Sequence, residues 1–317
     1  MFYPEEIIFA PASSCNLHCS HCFSGRDYCR ETFTAEEACA FLDSCLAAGR
    51  GDLLVGFSGG EPFLRADFLC TVSAFAAGKG FLFSRVMTNG MFGASPEERR
   101  KMLSRLFDAG FDGKVALSFD RFHGQSPEEA AEFLLAVLDC AGDSSAAEIW
   151  SVIPADGEDR AFFRAFRQMA EILGAGAPSW RAFRKPGRFL LRGNGFCIPV
   201  YRSRQSFSAA DMRWNARRWF REDFCRGPGN CFFVHPDGMV APCCGFSNRQ
   251  PELLLGPAGA GYTELMRRAG CSPAVEACFV RGLASLRKEL EAQGFSFPGK
   301  TEDPCAFCGY TAAGCNR

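Results

Sequence analysis

From the N-terminus to about residue 195, short apolar runs alternate with amphipathic stretches. The runs at residues 6–10, 53–57, 82–87, 115–119, 148–153 and 189–191 predict strands. Between them, Thr34-Ala-Glu-Glu37, Ser95-Pro-Glu-Glu98 and Ser126-Pro-Glu-Glu129 read as capping boxes that open helices. In such a box the hydroxyl accepts from a first-turn N–H and the acid three residues on reaches back. Residues 159–173 carry Phe162, Phe163, Phe166 and Met169 at helical spacing. Six strand–helix repeats predict an α/β fold with a parallel sheet wound in one direction. Six fall short of the eight of a closed barrel, so the expectation is a partial (βα)6 TIM-like barrel. Active residues in such sheets sit at the C-terminal ends of the strands.

The pattern changes after that. Residues 196–224 read as a bridge with one basic helix at 211–224, and from Cys225 the chain turns rich in Cys, Gly and Pro. Runs at 232–234 and 239–241 flank Asp237-Gly238 and predict a hairpin. The expected organisation is a barrel at 1–195, a bridge at 196–224 and a small metal-stapled domain at 225–317.

Composition narrows the chemistry. Of 317 residues, 47% are hydrophobic, enough for a substantial core, and the 33 Phe fit core packing. A net charge of −1 gives no basic field to attract nucleic acid. No apolar run reaches the roughly 18–20 residues of a membrane helix. The start carries Glu5 and Glu6 and no basic segment of a signal peptide, so a cytoplasmic location is expected. Eighteen cysteines in a long chain without a signal point to reduced thiolates on a soft metal rather than to disulfides. They gather at both ends.

Cys15-Asn-Leu-His-Cys19-Ser-His-Cys22 follows the first predicted strand. Three thiolates at this spacing can wrap one face of an iron–sulfur cubane, each on one iron, and no fourth cysteine stands at close spacing. The fourth iron is left for a ligand. Zinc would prefer paired Cys-x-x-Cys arms from two segments.

The C-x3-C-x2-C spacing after the first strand resembles that of the radical S-adenosylmethionine (SAM) superfamily, with His21 where an aromatic residue often precedes the last cysteine. Gly59-Gly60-Glu61-Pro62 resembles the family's GGE motif, which contacts the methionine amino group. Thr88-Asn89-Gly90 and Ser118-Phe119-Asp120 are similar to the segments that line the SAM site. The resemblance implies a [4Fe–4S] cluster on Cys15, Cys19 and Cys22 and SAM on its open iron. It also implies SAM contacts from Gly59, Gly60, Glu61, Thr88, Asn89, Ser118 and Asp120; Arg192, at the end of the sixth predicted strand, is placed to contact SAM or substrate carboxylates. Glu61 is expected to offer its carboxylate to the ammonium group. An electron donor such as a flavodoxin or ferredoxin would start the cleavage of SAM to methionine and a 5′-deoxyadenosyl radical.

At the other end, Cys225, Gly238 and Cys243 match the opening C-x9–15-G-x4-C of the SPASM domain, and Cys305-Ala-Phe-Cys308 with Cys315 resembles its later part. The C-x2-C-x6-C spacing departs from the full pattern, which implies a shortened, twitch-like domain with one auxiliary [4Fe–4S] cluster. Its implied ligands are Cys225, Cys243, Cys305 and Cys308, with Cys231 and Cys315 in reserve. Cys271 and Cys278 read as helix packing.

Chains of this combined kind often modify ribosomally made peptides. The first strand starts near residue 6, leaving no expected room for an N-terminal leader-binding domain. In the related sulfatase-maturing enzymes an aspartate follows the hairpin's cluster cysteine, whereas here Cys244 follows Cys243. Neighbouring side chains on a strand point to opposite faces, so Cys244 should face away from a cluster held by Cys243. A free thiol donates hydrogen atoms well. The chain is thus similar to radical SAM peptide epimerases, with Cys244 as the donor. A maturase making thioether or carbon–carbon crosslinks, a sulfatase-maturase-like oxidase, and a non-catalytic electron carrier are the alternatives.

Overall fold

In the computed structural model, which describes residues 2–22, 24, 28–157, 159–205, 214–225, 229–245 and 248–314, the chain begins with β1 (Glu6–Ala12), α1 (Ala35–Ala47) and β2 (Leu54–Gly59). Two compact units form, each discontinuous in sequence. A strand–helix unit comprises Pro11–Tyr28 and Gly56–Gln205, and a cysteine-rich unit comprises Met1–Ala10, Cys29–Val55 and Ser206–Arg317.

In the strand–helix unit, β2 is followed by α2 (Ala66–Gly78), β3 (Phe83–Thr88), α3 (Pro96–Asp108), β4 (Lys114–Ser118), α4 (Pro127–Ala141) and β5 (Ala147–Ile153). Then come α5 (Arg160–Ile172), α6 (Trp180–Phe183), β6 (Gly187–Gly193) and β7 (Phe196–Arg204), and the strand order is β2-β3-β4-β5-β7-β6. Parallel registers pair Arg85 with Lys114, Val115 with Ala147 and Ile149 with Val200. Val86, Val115, Leu117 and Ile149 of the strands and Leu69, Leu106, Leu134 and Phe166 of the helices are all buried. Capping follows the sequence pattern: at α4 the Ser126 hydroxyl accepts from Glu129 N–H and the Glu129 carboxylate accepts from Ser126 N–H. At α3 the Ser95 hydroxyl accepts from Glu98 N–H, while Glu98 reaches one residue further, to Ala94 N–H.

One strand departs from expectation. The run at 189–191 lies in β6, which pairs antiparallel with β7, Gly193 opposite Phe196. Asn194-Gly195 makes the turn, with Gly195 at φ +83°, a conformation glycine adopts at little cost. The strand that runs parallel to β5 is therefore β7, and its C-terminal end carries Arg202 rather than Arg192.

In the cysteine-rich unit the order is β10-β9-β8-β1, with β8 (Gly229–Val234), β9 (Met239–Cys243) and β10 (Gly256–Pro257). β1 runs parallel to β8, Glu6 opposite Cys231 and Phe9 opposite Val234. β8 and β9 form the expected hairpin, with Gly238 at φ +83°. Phe41 of α1, itself opened by the Thr34–Glu37 capping box, packs on Phe232. Helices α7 (Gly261–Cys271), α8 (Pro273–Glu276), α9 (Leu283–Ala292) and α10 (Pro304–Gly314) complete the unit. The basic helix expected at 211–224 is absent from its described part, 214–224. Trp219 and Phe220 instead pack with Phe307, and Phe220 N–H donates to Thr301 O at 2.8 Å. Burial of three aromatic rings against a distant segment outweighs local helix propensity here. No described helix is long and apolar enough to cross a membrane.

Candidate cofactor and metal sites

The loop after β1 carries Cys15 and Cys19, both half-buried, and Cys22, exposed. Its first part is pinned by the ends of two other strands. Gly60 N–H donates to Ala12 O at 2.8 Å and Glu61 N–H to Ser14 O at 2.9 Å. A Cβ on Gly60 would stand 2.0 Å from Ser14 O, so only glycine lets the two segments approach this closely. From β3, Asn89 Nδ2 donates to Asn16 Oδ1 at 2.9 Å and to Cys15 Sγ at 3.6 Å. Burial holds the Cys15 thiol above its ordinary value, although Leu17 N–H donates to the sulfur.

Glu61 is fully buried and turned into the protein. Its carboxylate accepts from Phe63 N–H at 3.2 Å, Thr88 Oγ1 at 2.8 Å and Asn89 N–H at 2.8 Å. Burial pushes its pKa up to about 7 against the pull of these three bonds. The carboxylate thus ties the Gly59-Gly60 turn to the Thr88–Asn89 segment. Gly60 and Asn89 bond to the loop or its approach, and Thr88 holds Glu61.

Ser118 and Asp120 close the same region from β4. Gln125 Nε2 donates to Ser118 O and to Asn89 O, each at 2.7 Å. Buried Asp120 accepts from Phe122 N–H at 2.9 Å and from Val152 N–H at 3.2 Å, and it pairs with His123 Nδ1 at 2.8 Å. Burial opposes charge on both partners. The Asp120 bond, with one to Cys19, still pushes His123 up to about 10, and Asp120 is held below the usual carboxylate value. His21 lies over Phe122, ring centroids 4.5 Å apart. Sequence reading singled out neither Gln125 nor His123; their only signal is proximity to the Ser118–Asp120 segment.

His21, Asp120 and His123 bring ligand atoms within 4.8 Å of one another. Among the described residues, His21 Nδ1 and Gln125 Oε1 are buried without a hydrogen-bond partner. Unpaired buried polar atoms beside three thiols are what a polar cofactor would satisfy. The residues fit the group that the resemblance implies.

Arg192 is not among them. It is exposed in the β6–β7 hairpin opposite Cys197, whose N–H donates to Ser144 O ahead of β5. It therefore stands at the end of the sheet away from Ser118 and Asp120. Arg202 is buried instead, ion-paired with buried Asp159 and donating to Ser151 Oγ at 3.0 Å.

In the cysteine-rich unit, Cys225, Cys243, Cys278, Cys305 and Cys308 line one cavity of about 320 Å³, with apolar walls that include Phe279 and Leu283. Asp303 Oδ1 caps α10 by accepting from Cys305 N–H at 2.9 Å, and Cys305 and Cys308, three residues apart, share one helix face. Burial pushes the Cys243 and Cys305 thiols well up. Neutral thiols become good ligands once a metal displaces their protons. The four cysteines expected as ligands line it together; Cys278 lines it too while packing, as its reading had it, in a core cluster with Phe220, Leu283 and Phe307. Cys231 is not on the cavity, Cys271 is exposed at the end of α7, and Cys315 lies outside the described residues.

Cys244 does not line that cavity. Its thiol and that of Cys231 hydrogen-bond to each other, and it packs with Ile8 against Ala10 and Phe233.

No protein-family model matches the chain, and no curated protein matches its sequence. Solved structures do. Native anSMEcpe with bound AdoMet and Cp18Cys peptide matches at TM-score 0.52 and 17% identity over 83% of this chain and 80% of that one. The same protein with AdoMet and Kp18Cys peptide matches at TM-score 0.52 and 15% identity, over 86% and 83%. Streptococcus suis SuiB bound to S-adenosylmethionine matches at TM-score 0.40 and 14% identity, over 77% and 61%. With its largely parallel α/β sheet, the chain shares the fold of the two anSMEcpe structures.

Proposed function

We propose that the chain is a radical SAM enzyme that modifies a ribosomally made peptide, and specifically that it epimerises L- to D-residues. Cys15, Cys19 and Cys22 would hold the SAM-binding [4Fe–4S] cluster, and Cys225, Cys243, Cys305 and Cys308 an auxiliary iron–sulfur centre. With an electron donor such as a flavodoxin or ferredoxin, the front cluster and SAM bound there would supply the radical chemistry that activates a substrate C–H bond. Gly60, Asn89 and Gln125 position the loop and its surroundings, and His21, Ser118 and Asp120 border the space for SAM.

The observation that carries the epimerase reading is the position of Cys244. Its neighbour Cys243 lines the cysteine cavity, whereas Cys244 turns to Cys231. A thiol outside the metal site keeps its hydrogen. Cys244 would give that hydrogen atom to a peptide α-carbon radical, forming a C–H bond and leaving a sulfur-centred radical, which one electron and one proton from the external donor restore to the thiol.

The test is product mass in D2O. A thiol hydrogen exchanges with solvent, so each epimerised residue should gain one deuterium. Cys244→Ala should still form 5′-deoxyadenosine and yield no D-residue. A product two hydrogens lighter, without solvent deuterium, would replace epimerisation with crosslinking. The wild type forming no 5′-deoxyadenosine would refute the radical reading altogether.

A further inference from the structure

One row of register partners crosses four strands of the strand–helix unit. Ser118 of β4 stands opposite Trp150 of β5, Trp150 opposite Tyr201 of β7, and Tyr201 opposite Arg188 of β6. Register partners share a face, and successive rows alternate between the two faces. The adjoining row, Leu117, Ile149, Val200 and Phe189, belongs to the helix side, because Phe189 packs on Phe166 of α5 and Phe183 of α6. The Ser118 row therefore faces away from the helices. There Trp150 and Tyr201, both half-buried, stack with ring centroids 4.8 Å apart and planes 22° apart. Neighbouring strands lie about 4.8 Å apart, so whatever rests on Trp150 adjoins Ser118 and the space for SAM.

A guanidinium lies over each ring: Arg85 over Trp150 at 5.2 Å and Arg188 over Tyr201 at 5.6 Å. Only the first is neutralised. Buried Glu148 accepts from Arg85 Nε and from Trp150 Nε1, each at 2.8 Å, so it also fixes the indole. Glu148 is the sole acidic residue in strands β2 to β7, and it is already paired. Arg188 and Arg192, on the same face, are exposed and have no ion-pair partner among the described residues. An aromatic shelf edged by unpaired cations complements a carboxylate on an apolar stem.

We infer that Trp150, Tyr201 and Arg188 form a subsite for an acidic residue of the substrate peptide. Its side-chain carboxylate meets the Arg188 guanidinium, and its methylenes lie across the two rings. The inference rests on the reading of the chain as a peptide-modifying enzyme and names acidic peptides as the substrate class.

The experiment pans a displayed library of random decapeptides against the full chain, reconstituted anaerobically with iron and sulfide and supplied with SAM but no reductant, so that nothing turns over. The wild type should enrich Asp or Glu at one position, and Arg188→Glu, at an exposed site, should enrich Lys or Arg there instead. Arg204→Glu, an exposed arginine of the helix-side parity, should select as the wild type does. For a synthetic peptide chosen by the wild type, exchanging the selected acid for its amide should weaken binding about tenfold, and the same exchange should change nothing against Arg188→Gln. Tyr201→Ala should weaken acid and amide peptides alike. Enrichment without an acidic position, or an acidic preference that survives Arg188→Glu, overturns the inference alone. No enrichment at all overturns it together with the peptide reading. Reduction of the same preparation, read as 5′-deoxyadenosine, judges the radical reading separately.

Discussion

Replacing Gly60 with alanine tests whether the turn after β2 sets the position of the cysteine loop. The added Cβ would meet Ser14 O at 2.0 Å, Ser14 C at 2.7 Å and Ser13 O at 2.8 Å, all backbone atoms that no rotamer change can move aside. A tolerable contact requires the loop to withdraw by about 1 Å, an overpacking that costs typically 1–3 kcal/mol. Withdrawal also stretches the bonds from Gly60 N–H to Ala12 O and from Glu61 N–H to Ser14 O, each contributing about 1 kcal/mol. The sum, about 3–5 kcal/mol, should lower the melting temperature by roughly 10 °C. Cys15 follows Ser14 directly, and a misplacement of about 1 Å at a reacting centre costs on the order of 100-fold in rate. Anaerobic 5′-deoxyadenosine formation should fall by about that factor, while iron in the cysteine-rich unit stays. Gly78, in α2 with nothing within 4 Å of an added Cβ, is the counterpart; Gly78→Ala should stabilise by about 0.5–1 kcal/mol. Wild-type iron content and SAM cleavage in Gly60→Ala would refute the reasoning.

Further outcomes follow from other contacts. Glu61 binds its proton more tightly folded, near pH 7, than unfolded, near 4.5; its stabilising contribution is therefore complete below the unfolded value and lost as pH rises through about 7. Urea midpoints of Glu61→Gln relative to wild type should shift in the variant's favour between these limits, and a constant difference would contradict the linkage. Arg202→Met leaves buried Asp159 without its cation and should cost about 3–5 kcal/mol in denaturant unfolding, much of it recovered by adding Asp159→Leu. Replacing Cys15, Cys19 and Cys22 together with Ala should abolish 5′-deoxyadenosine formation and leave cysteine-rich-unit iron in place; reductive SAM cleavage by that variant would refute the front-site assignment.

Much of this was legible locally. Alternating apolar runs located β2 to β5 to within a residue or two, because strand burial and capping boxes are properties of adjacent residues. The β6–β7 hairpin was missed although Asn194-Gly195 between two apolar stretches is itself a hairpin signal. That omission moved attention to Arg192 and away from Arg202, whose burial depends on Asp159 some forty residues earlier. The segment 214–224 carries helical spacing, yet its aromatic rings are satisfied by Phe297 and Phe307, which no local period reveals. The resemblance to the SPASM domain implied four of the five cavity thiols. Cys278 belongs to no spacing motif, because a π-helical turn, Ala277–Arg281, rather than a fixed chain interval brings it to Cys308.

The pairing of β1 with β8 has a consequence for synthesis. Residue 6 waits for residue 231 to complete its ladder, an interval of roughly 10–45 s at 5–20 residues per second. Until then one edge of β1, with its row of unpaired backbone groups, is open to any strand that meets it. Premature release anywhere before β8 should therefore yield a chain that self-associates through β1, and soluble production should depend on how quickly translation carries the hairpin out of the ribosome.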